Sequence, residues 1–221
     1  MLVRTPAEIY SEYRIMPGLQ MHQLRVAAVG KTVCDSLKVP IDSDAVVTAC
    51  LFHDMGNIIK SDLTMFPEFF GEHDAAYWEN VKKEYLAKYG TNEHHATIAI
   101  GKELGLPEKA ITLMDSVGFT HLETTRDGAS LEQKVVQYSD LRVAPHGVVS
   151  LSERLEEGRR RYEGRGHHDF PETKIRYAEL VAAAEEIERQ IFALANIKPD
   201  SITEESVQAA IAELRELPIG T

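Results

Sequence analysis

The sequence has few cysteines and no long hydrophobic run. Its longest nearly apolar stretch, Ala45–Phe52, is too short to cross a membrane. The N-terminal segment MLVRTPAEIY has no apolar signal core, so we expect a cytoplasmic protein without a membrane attachment. The two cysteines, Cys34 and Cys50, lack CxxC spacing and lie in apolar helical patterns. This placement favours two reduced core residues over a disulfide.

Positive charge is also scarce in this chain. The sequence has 24 Lys and Arg against 35 Asp and Glu, for a formal net charge of −11. Nonspecific binding to nucleic acid polymers or anionic membranes needs a basic face, so both partners are disfavoured. A small phosphorylated substrate remains compatible, because a few local cations or a metal ion suffice to bind it. The length of 221 residues and the 43% hydrophobic content indicate one domain with a large core.

Apolar residues recur at helical spacing along almost the whole chain, and no segment alternates strictly between apolar and polar residues. This pattern predicts an all-α helical bundle without a β-sheet. We expect Ser43 to cap one helix and Ser201 with Glu204 to form a capping box before the last. The predicted helices cover residues 21–37, 44–53, 75–89, 93–104, 107–116, 131–142, 151–162, 172–195 and 204–217.

A change in composition divides the chain near its C-terminal third. The segment EGRRRYEGRGHHDF, residues 157–170, predicts a basic linker. It separates a metal-binding helical domain of residues 1–156 from C-terminal helices within residues 157–221, and we expect them to form one domain overall. The run Ala182–Ala184 predicts a packing surface on the core or on a second subunit, which leaves a homodimer open.

Three predicted helices each present a metal-competent side chain on an apolar face. His53 continues such a face, and Asp54 follows it directly. His22 lies on the apolar face of another helix, and Asp140 follows Val136 by one turn on a third. A divalent cation needs three or four convergent ligands, and imidazole with carboxylate suits Fe, Mn, Co, Ni or Zn. These four polar residues are therefore candidate metal ligands.

The ordered series His22, His53-Asp54 and Asp140 resembles the HD-domain metal-dependent phosphohydrolase superfamily. The matching segments are MHQLRVAAVG, ACLFHDMGN and KVVQYSDLRV, and the resemblance covers residues 18–145. It implies an HD-type helical bundle that binds one or two divalent transition-metal ions. It also implies hydrolysis of a small phosphate ester or nucleotide by a metal-activated water. Arg25 matches an arginine that usually follows the first histidine by three residues, and it is a candidate phosphate-binding residue.

The sequence departs from the family pattern at Asn57, where many relatives have lysine. Lys60, one turn further along, is the candidate that would supply this phosphate-binding cation instead. Arg142 is a third candidate, although two residues after Asp140 it need not face the metal. A second His-Asp pair, His73-Asp74, lies in a loop with Pro and Gly, and we do not expect it to bind metal.

Two-metal members of the superfamily have two further histidines between the HD pair and the last aspartate. The corresponding candidates are His94 or His95, and His121; His94 is favoured because it shares a helical face with Ile98 and Gly101. Two other functions remain open. The six-ligand arrangement also resembles HD-fold di-iron oxygenases, and a non-catalytic ligand-binding module is the other alternative. The presence of all four core ligands argues against the module.

Overall fold

The structure is a computed structural model that describes residues 3–164 and 171–220. Helices account for most of this part of the chain, and the predicted all-α fold is confirmed. The α-helices are α1 Pro6–Glu12, α2 Pro17–Ser36, α3 Ser43–Phe52, α4 Ala75–Tyr89, α5 Glu93–Glu103, α6 Glu108–Asp115, α7 Leu122–Gly128, α8 Leu131–Asp140, α9 Leu151–Gly164, α10 Pro171–Phe192 and α11 Gln208–Arg215. Short 3₁₀ helices occupy Asn57–Ile59, Pro67–Phe70, Phe119–His121 and Pro199–Ser201.

Local capping residues decide several helix boundaries. Helix α4 has its predicted bounds because the Asp74 side chain accepts the Tyr77 N–H at 2.8 Å and Gly90 ends the helix at φ 83°. Helix α3 is capped by Asp42 and not by Ser43, because the Asp42 carboxylate accepts the Ala45 N–H at 3.0 Å.

The prediction of a last helix from Glu204, with a capping box at Ser201, is wrong. Ser201 lies in a 3₁₀ helix, and α11 begins at Gln208. The Ser201 hydroxyl donates to the Lys198 carbonyl, and the Glu204 carboxylate accepts hydrogen bonds from other parts of the chain.

Two small antiparallel ladders correct the expectation of a structure without any sheet. Strand β1 (Val3–Arg4) pairs with β4 (Ile219–Gly220), which joins the two ends of the described chain. Strand β2 (Val143–Ala144) pairs with β3 (Gly147–Val148) in a hairpin directly after α8. Two-residue strands are too short to show the period-two alternation that identifies a strand from sequence.

Helix α2 lies at the centre of the fold. It packs on α3, α8 and α11, and α3 also packs on α8. The α2 residues Leu24, Val26, Ala27, Ala28, Val29 and Val33 are buried with residues of α3 and α8 in one continuous hydrophobic core. Because the three helices pack on one another, their polar candidate residues meet at one edge of this core.

The C-terminal helices pack on the same core. Helix α10 packs on α7 and α8, and its buried Ala183 and Ala184 make the predicted packing surface intramolecular. A homodimer stays a prediction. In residues 3–164 and 171–220, no helix combines the length and hydropathy that a membrane span requires.

The predicted linker begins inside a helix. Helix α9 continues through residue 164, so the first part of the segment 157–170 is helical, and residues 165–170 lie outside the described residues. Arg160 pairs with Glu156 at 2.8 Å on the same helix, which offsets the basic charge locally. The division at residue 156 stays a prediction.

Candidate metal centre

Four side chains from three segments converge at one edge of the core. His22 comes from α2, His53 and Asp54 follow the last turn of α3, and Asp140 is the last residue of α8. The nearest ligand atoms of His22, His53 and Asp54 all lie within 4.8 Å of one another. An Asp140 carboxylate oxygen lies 3.2 Å from His22 Nε2 and 3.5 Å from His53 Nε2. The structure therefore brings the four predicted ligands together; we call them the HD cluster.

The ring of His53 is oriented by a single hydrogen bond. Its Nδ1 lies 2.9 Å from the Cys50 carbonyl oxygen, so this nitrogen is the donor. The opposite nitrogen, Nε2, is buried and has no hydrogen-bond partner in the described structure. It faces the carboxylates of Asp54 and Asp140 at 3.7 Å and 3.5 Å. A buried imidazole nitrogen without a hydrogen-bond partner is costly alone, and in the neutral ring its lone pair can bind a metal ion.

The negative charge of the cluster shifts the pKa of its members. Burial lowers the pKa of His53, but the nearby Asp54 carboxylate and the Asp140 carboxylate outweigh it and raise this pKa to about 9. Burial favours the neutral form of Asp140, whereas the neighbouring His22 and His53 rings hold its pKa well below the usual range. The raised pKa of His53 reflects the negative charge of the two carboxylates, which also attracts a metal cation.

Gln23, next to His22, fixes the turn that holds Asp54. Its side chain is fully buried, and its Oε1 accepts the backbone N–H of Asp54 at 3.2 Å. Gln23 is not among the candidate residues predicted from the sequence. Gln23 precedes the buried Ala27 and Gly30 at helical spacing, so it lies on the inward face of α2. This spacing is the sequence pattern that could have identified it.

The glycine after the HD pair is required by close packing. The Gly56 N–H donates to Thr97 Oγ1 at 2.9 Å, and a Cβ at this position would overlap the Glu93 carbonyl oxygen. The first turn of α5 therefore lies directly against the turn that follows Asp54.

The residues present fit a divalent transition metal. The cluster supplies two imidazole nitrogens and two carboxylates, a donor set suited to Fe, Mn, Co, Ni or Zn. The His53 side chain is 2% exposed, while those of His22, Asp54 and Asp140 are 18%, 21% and 24% exposed. Solvent and a small ligand therefore have access to one side of the cluster.

The guanidinium of Arg25 lies one turn after His22 on α2 and binds Glu204. Its Nε and Nη2 donate to Glu204 Oε1 at 3.0 Å and 2.8 Å. Glu204 also accepts the Val148 N–H at 2.8 Å. Although burial favours the neutral acid, these hydrogen bonds hold the pKa of Glu204 below its ordinary value. The sequence pattern predicted Glu204 in a helix cap and gave no sign of this contact with Arg25.

The other two candidate cations have different surroundings. Lys60 is exposed after the HD turn, and its Nζ lies 3.2 Å from a Glu93 carboxylate oxygen on α5. Arg142 is 2% exposed and donates to the carbonyls of Val149 and Ile202. Its guanidinium is thus occupied by backbone oxygens, and Arg142 is not available as a phosphate-binding residue.

The two additional histidines do not join the HD cluster. His94 is half-buried, and its Nε2 lies 2.9 Å from an Asp115 carboxylate oxygen, whereas His95 is exposed. His121 is exposed, and its Nδ1 lies 3.4 Å from the Ser116 carbonyl. Within residues 3–164 and 171–220, the HD cluster is the single place where three or more such side chains meet closely enough to hold an ion. A second ion at His94 and His121 stays a prediction.

Comparison with known proteins gives one match. The family model described as HD domain matches residues 20–140, which include all four members of the HD cluster. Among curated proteins and among solved structures, nothing matches the chain. Since the matched segment covers more than half of the sequence, the chain belongs to the HD-domain family, within the metal-dependent phosphohydrolase superfamily.

Proposed function

We propose that this protein is a metal-dependent phosphohydrolase that acts on a small phosphate ester or nucleotide. The observation that supports it most directly is the buried, unpaired Nε2 of His53, which faces two carboxylates. A buried polar atom without a partner needs a reason, and metal ligation supplies one. Membership in the HD-domain family supports the same chemistry.

In this proposal, His22, His53, Asp54 and Asp140 hold the ion. When bound there, a divalent cation would supply Lewis-acid chemistry: it would polarise a phosphoryl oxygen and lower the pKa of a water molecule enough for that water to serve as the nucleophile. The two carboxylates balance the charge of the ion. The hydrogen bond from His53 to Cys50 fixes the ring so that Nε2 points into the cluster.

Arg25 is the cation best placed to bind a substrate phosphate. It follows His22 by three residues on α2, so the two side chains lie on one helical face. Glu204 binds the Nε and Nη2 side of the guanidinium. Within the described residues, Nη1 has no hydrogen-bond partner and is left to donate to an anion. Lys60 is the second candidate, and it would have to leave Glu93 to reach a substrate.

Metal content and phosphate release test the proposal together. Protein purified without chelator is analysed by inductively coupled plasma mass spectrometry, before and after reloading with Mn²⁺, Co²⁺, Ni²⁺, Zn²⁺ or anaerobic Fe²⁺. Phosphate release is then measured on a panel of phosphate monoesters and nucleotides. We expect bound metal and metal-dependent hydrolysis in the wild type.

The shape-conserving variants Asp54→Asn and Asp140→Asn test the ligands without creating a cavity. We expect each to lose metal affinity by about tenfold or more, together with the activity. The control is His73→Ala, which changes the exposed member of the second His-Asp pair and leaves Asp74 to cap α4. This control should keep both metal and activity.

Other outcomes would contradict the proposal in distinct ways. If the protein binds no metal after reloading, the proposed metal centre is wrong. Full metal occupancy without hydrolysis of any substrate on the panel would favour a non-catalytic binding module. Bound iron with O₂-dependent turnover and no phosphate release would favour an oxygenase.

A further inference from the structure

Three aromatic side chains from two segments meet near the start of α2. The rings of Phe66 and Phe69 stack with centroids 5.1 Å apart and planes 14° apart. His146, between β2 and β3, meets both rings edge-on, at centroid distances of 6.1 Å and 5.7 Å. We call Phe66, Phe69 and His146 the aromatic wall.

The wall is fixed to the start of α2. Gly18 leaves room for the Phe69 ring, because a Cβ at this position would overlap it. Gly71 adopts φ 65° where its backbone passes Pro17, and Trp78 Nε1 donates to the Phe70 carbonyl at 3.1 Å. These contacts hold the 3₁₀ helix Pro67–Phe70 against α2.

The helical register places the contact between Phe69 and α2 one turn from a metal ligand. Gly18 lies one turn before His22 on the same face of α2. Phe69 therefore contacts α2 one turn before the metal ligand His22, on the side toward which helical side chains lean. His146 is also near the cluster in sequence, since the hairpin that carries it begins at Val143, three residues after Asp140.

The wall is open to solvent on part of its surface. Phe66 and Phe69 are half-buried, and the His146 side chain is 69% exposed. A phosphate ester bound at the HD cluster has its organic part outside the metal ligands. A flat aromatic ring in the organic part of the ester can stack on the exposed face of a phenyl ring and contact the edge of the imidazole. Offset stacking and edge-to-face contact are the favoured arrangements of aromatic rings.

We propose that the aromatic wall binds an aromatic ring in the organic part of the substrate, so that the preferred substrates are nucleotides or aryl phosphates. This inference rests on the proposed phosphohydrolase function. It assigns Phe66 and Phe69 to substrate specificity, while the HD cluster and Arg25 bind the phosphate.

Two phosphonates that cannot be hydrolysed test the proposal by direct binding. Phenylphosphonate and cyclohexylphosphonate share the anionic group and have rings of similar size, but phenylphosphonate alone has a π-face. Their dissociation constants are measured by calorimetry on Mn²⁺-loaded full-length protein. We expect phenylphosphonate to bind about threefold to tenfold more tightly than cyclohexylphosphonate. This is the gain that an aromatic pair contributes in addition to the burial of apolar surface.

The variant Phe66→Leu keeps an apolar side chain and removes one stacking face. We expect this variant to bring the two dissociation constants within about twofold of each other, mainly because it weakens the binding of phenylphosphonate. The matched control is Phe192→Leu, which changes another half-buried phenylalanine in edge-on contact with an aromatic ring, at Tyr138. It should keep the wild-type ratio. Circular dichroism and melting temperature verify that both variants fold.

The outcomes separate this inference from the proposed function. Equal binding of the two phosphonates by the wild type would overturn the aromatic specificity and leave the phosphate site intact. A wild-type preference that persists in Phe66→Leu would also overturn it. Failure of both phosphonates to bind metal-loaded protein would contradict the phosphate site, and the inference with it.

Discussion

Arg25 on α2 binds Glu204 near the C-terminus, across 179 positions of sequence. The ion pair joins the helix that carries His22 to the segment before α11 and, through the Val148 N–H, to the β2–β3 hairpin. Glu204 lies outside residues 20–140, which match the HD-domain model. The surroundings of the proposed phosphate-binding arginine therefore depend on the C-terminal extension.

Glu204→Gln is expected to lower the free energy of unfolding by about 1 to 2 kcal/mol, because it weakens a partly exposed ion pair and its hydrogen bonds. Urea denaturation measures the change. Glu205→Gln is the control, since its side chain is exposed and adjacent. Equal stability of the two variants would show that the Arg25–Glu204 contact does not stabilise the fold.

Metal binding is expected to release a proton near neutral pH. In the metal-free protein the pKa of His53 is raised to about 9, so at pH 7.5 its ring is protonated and cannot ligate. Bound metal requires the neutral ring, so a proton leaves and apparent affinity falls as the pH is lowered. Calorimetry in buffers of different ionisation enthalpy should report about one proton per ion. Binding heats that do not depend on the buffer would contradict this prediction.

Gly56→Ala is expected to cost about 1 to 3 kcal/mol of stability and to weaken metal binding. The added methyl overlaps the Glu93 carbonyl, so the turn that follows Asp54 must shift away from α5. Thermal unfolding and metal titration measure the two effects. Gly128→Ala is the control, because no atom lies within 4 Å of its added Cβ and the residue ends a helix. Unchanged metal affinity in Gly56→Ala would show that the position of this turn does not affect metal binding.

Arg142→Met is expected to destabilise the fold by about 3 kcal/mol, because it leaves the part-buried Val149 carbonyl and the buried Ile202 carbonyl without a donor. Urea denaturation measures this loss. In folded protein, affinity for inorganic phosphate in the presence of Mn²⁺ should stay within about twofold of wild type. A large loss of phosphate affinity in variant protein that remains folded would restore Arg142 as a phosphate-binding residue.

The sequence by itself determined the helical fold class and the four residues of the HD cluster. Helix α4 was predicted with its observed bounds because Asp74 and Gly90 end it through local backbone chemistry. His22, His53 and Asp140 were identifiable because a polar residue on an apolar helical face must lie near the core. The ordered spacing of these residues with Asp54 also identified the family, which the match over residues 20–140 confirms.

Only the tertiary structure decided which distant residues surround that cluster. The contacts of Glu204 with Arg25, and of Phe69 with Gly18, join segments far apart in the chain and have no periodic signature. For the same reason, sequence spacing did not show the contact of His94 with Asp115, which depends on the packing of α5 on α6. Helical periodicity specifies which face of a helix is buried, but the partner of that face depends on how the helices pack.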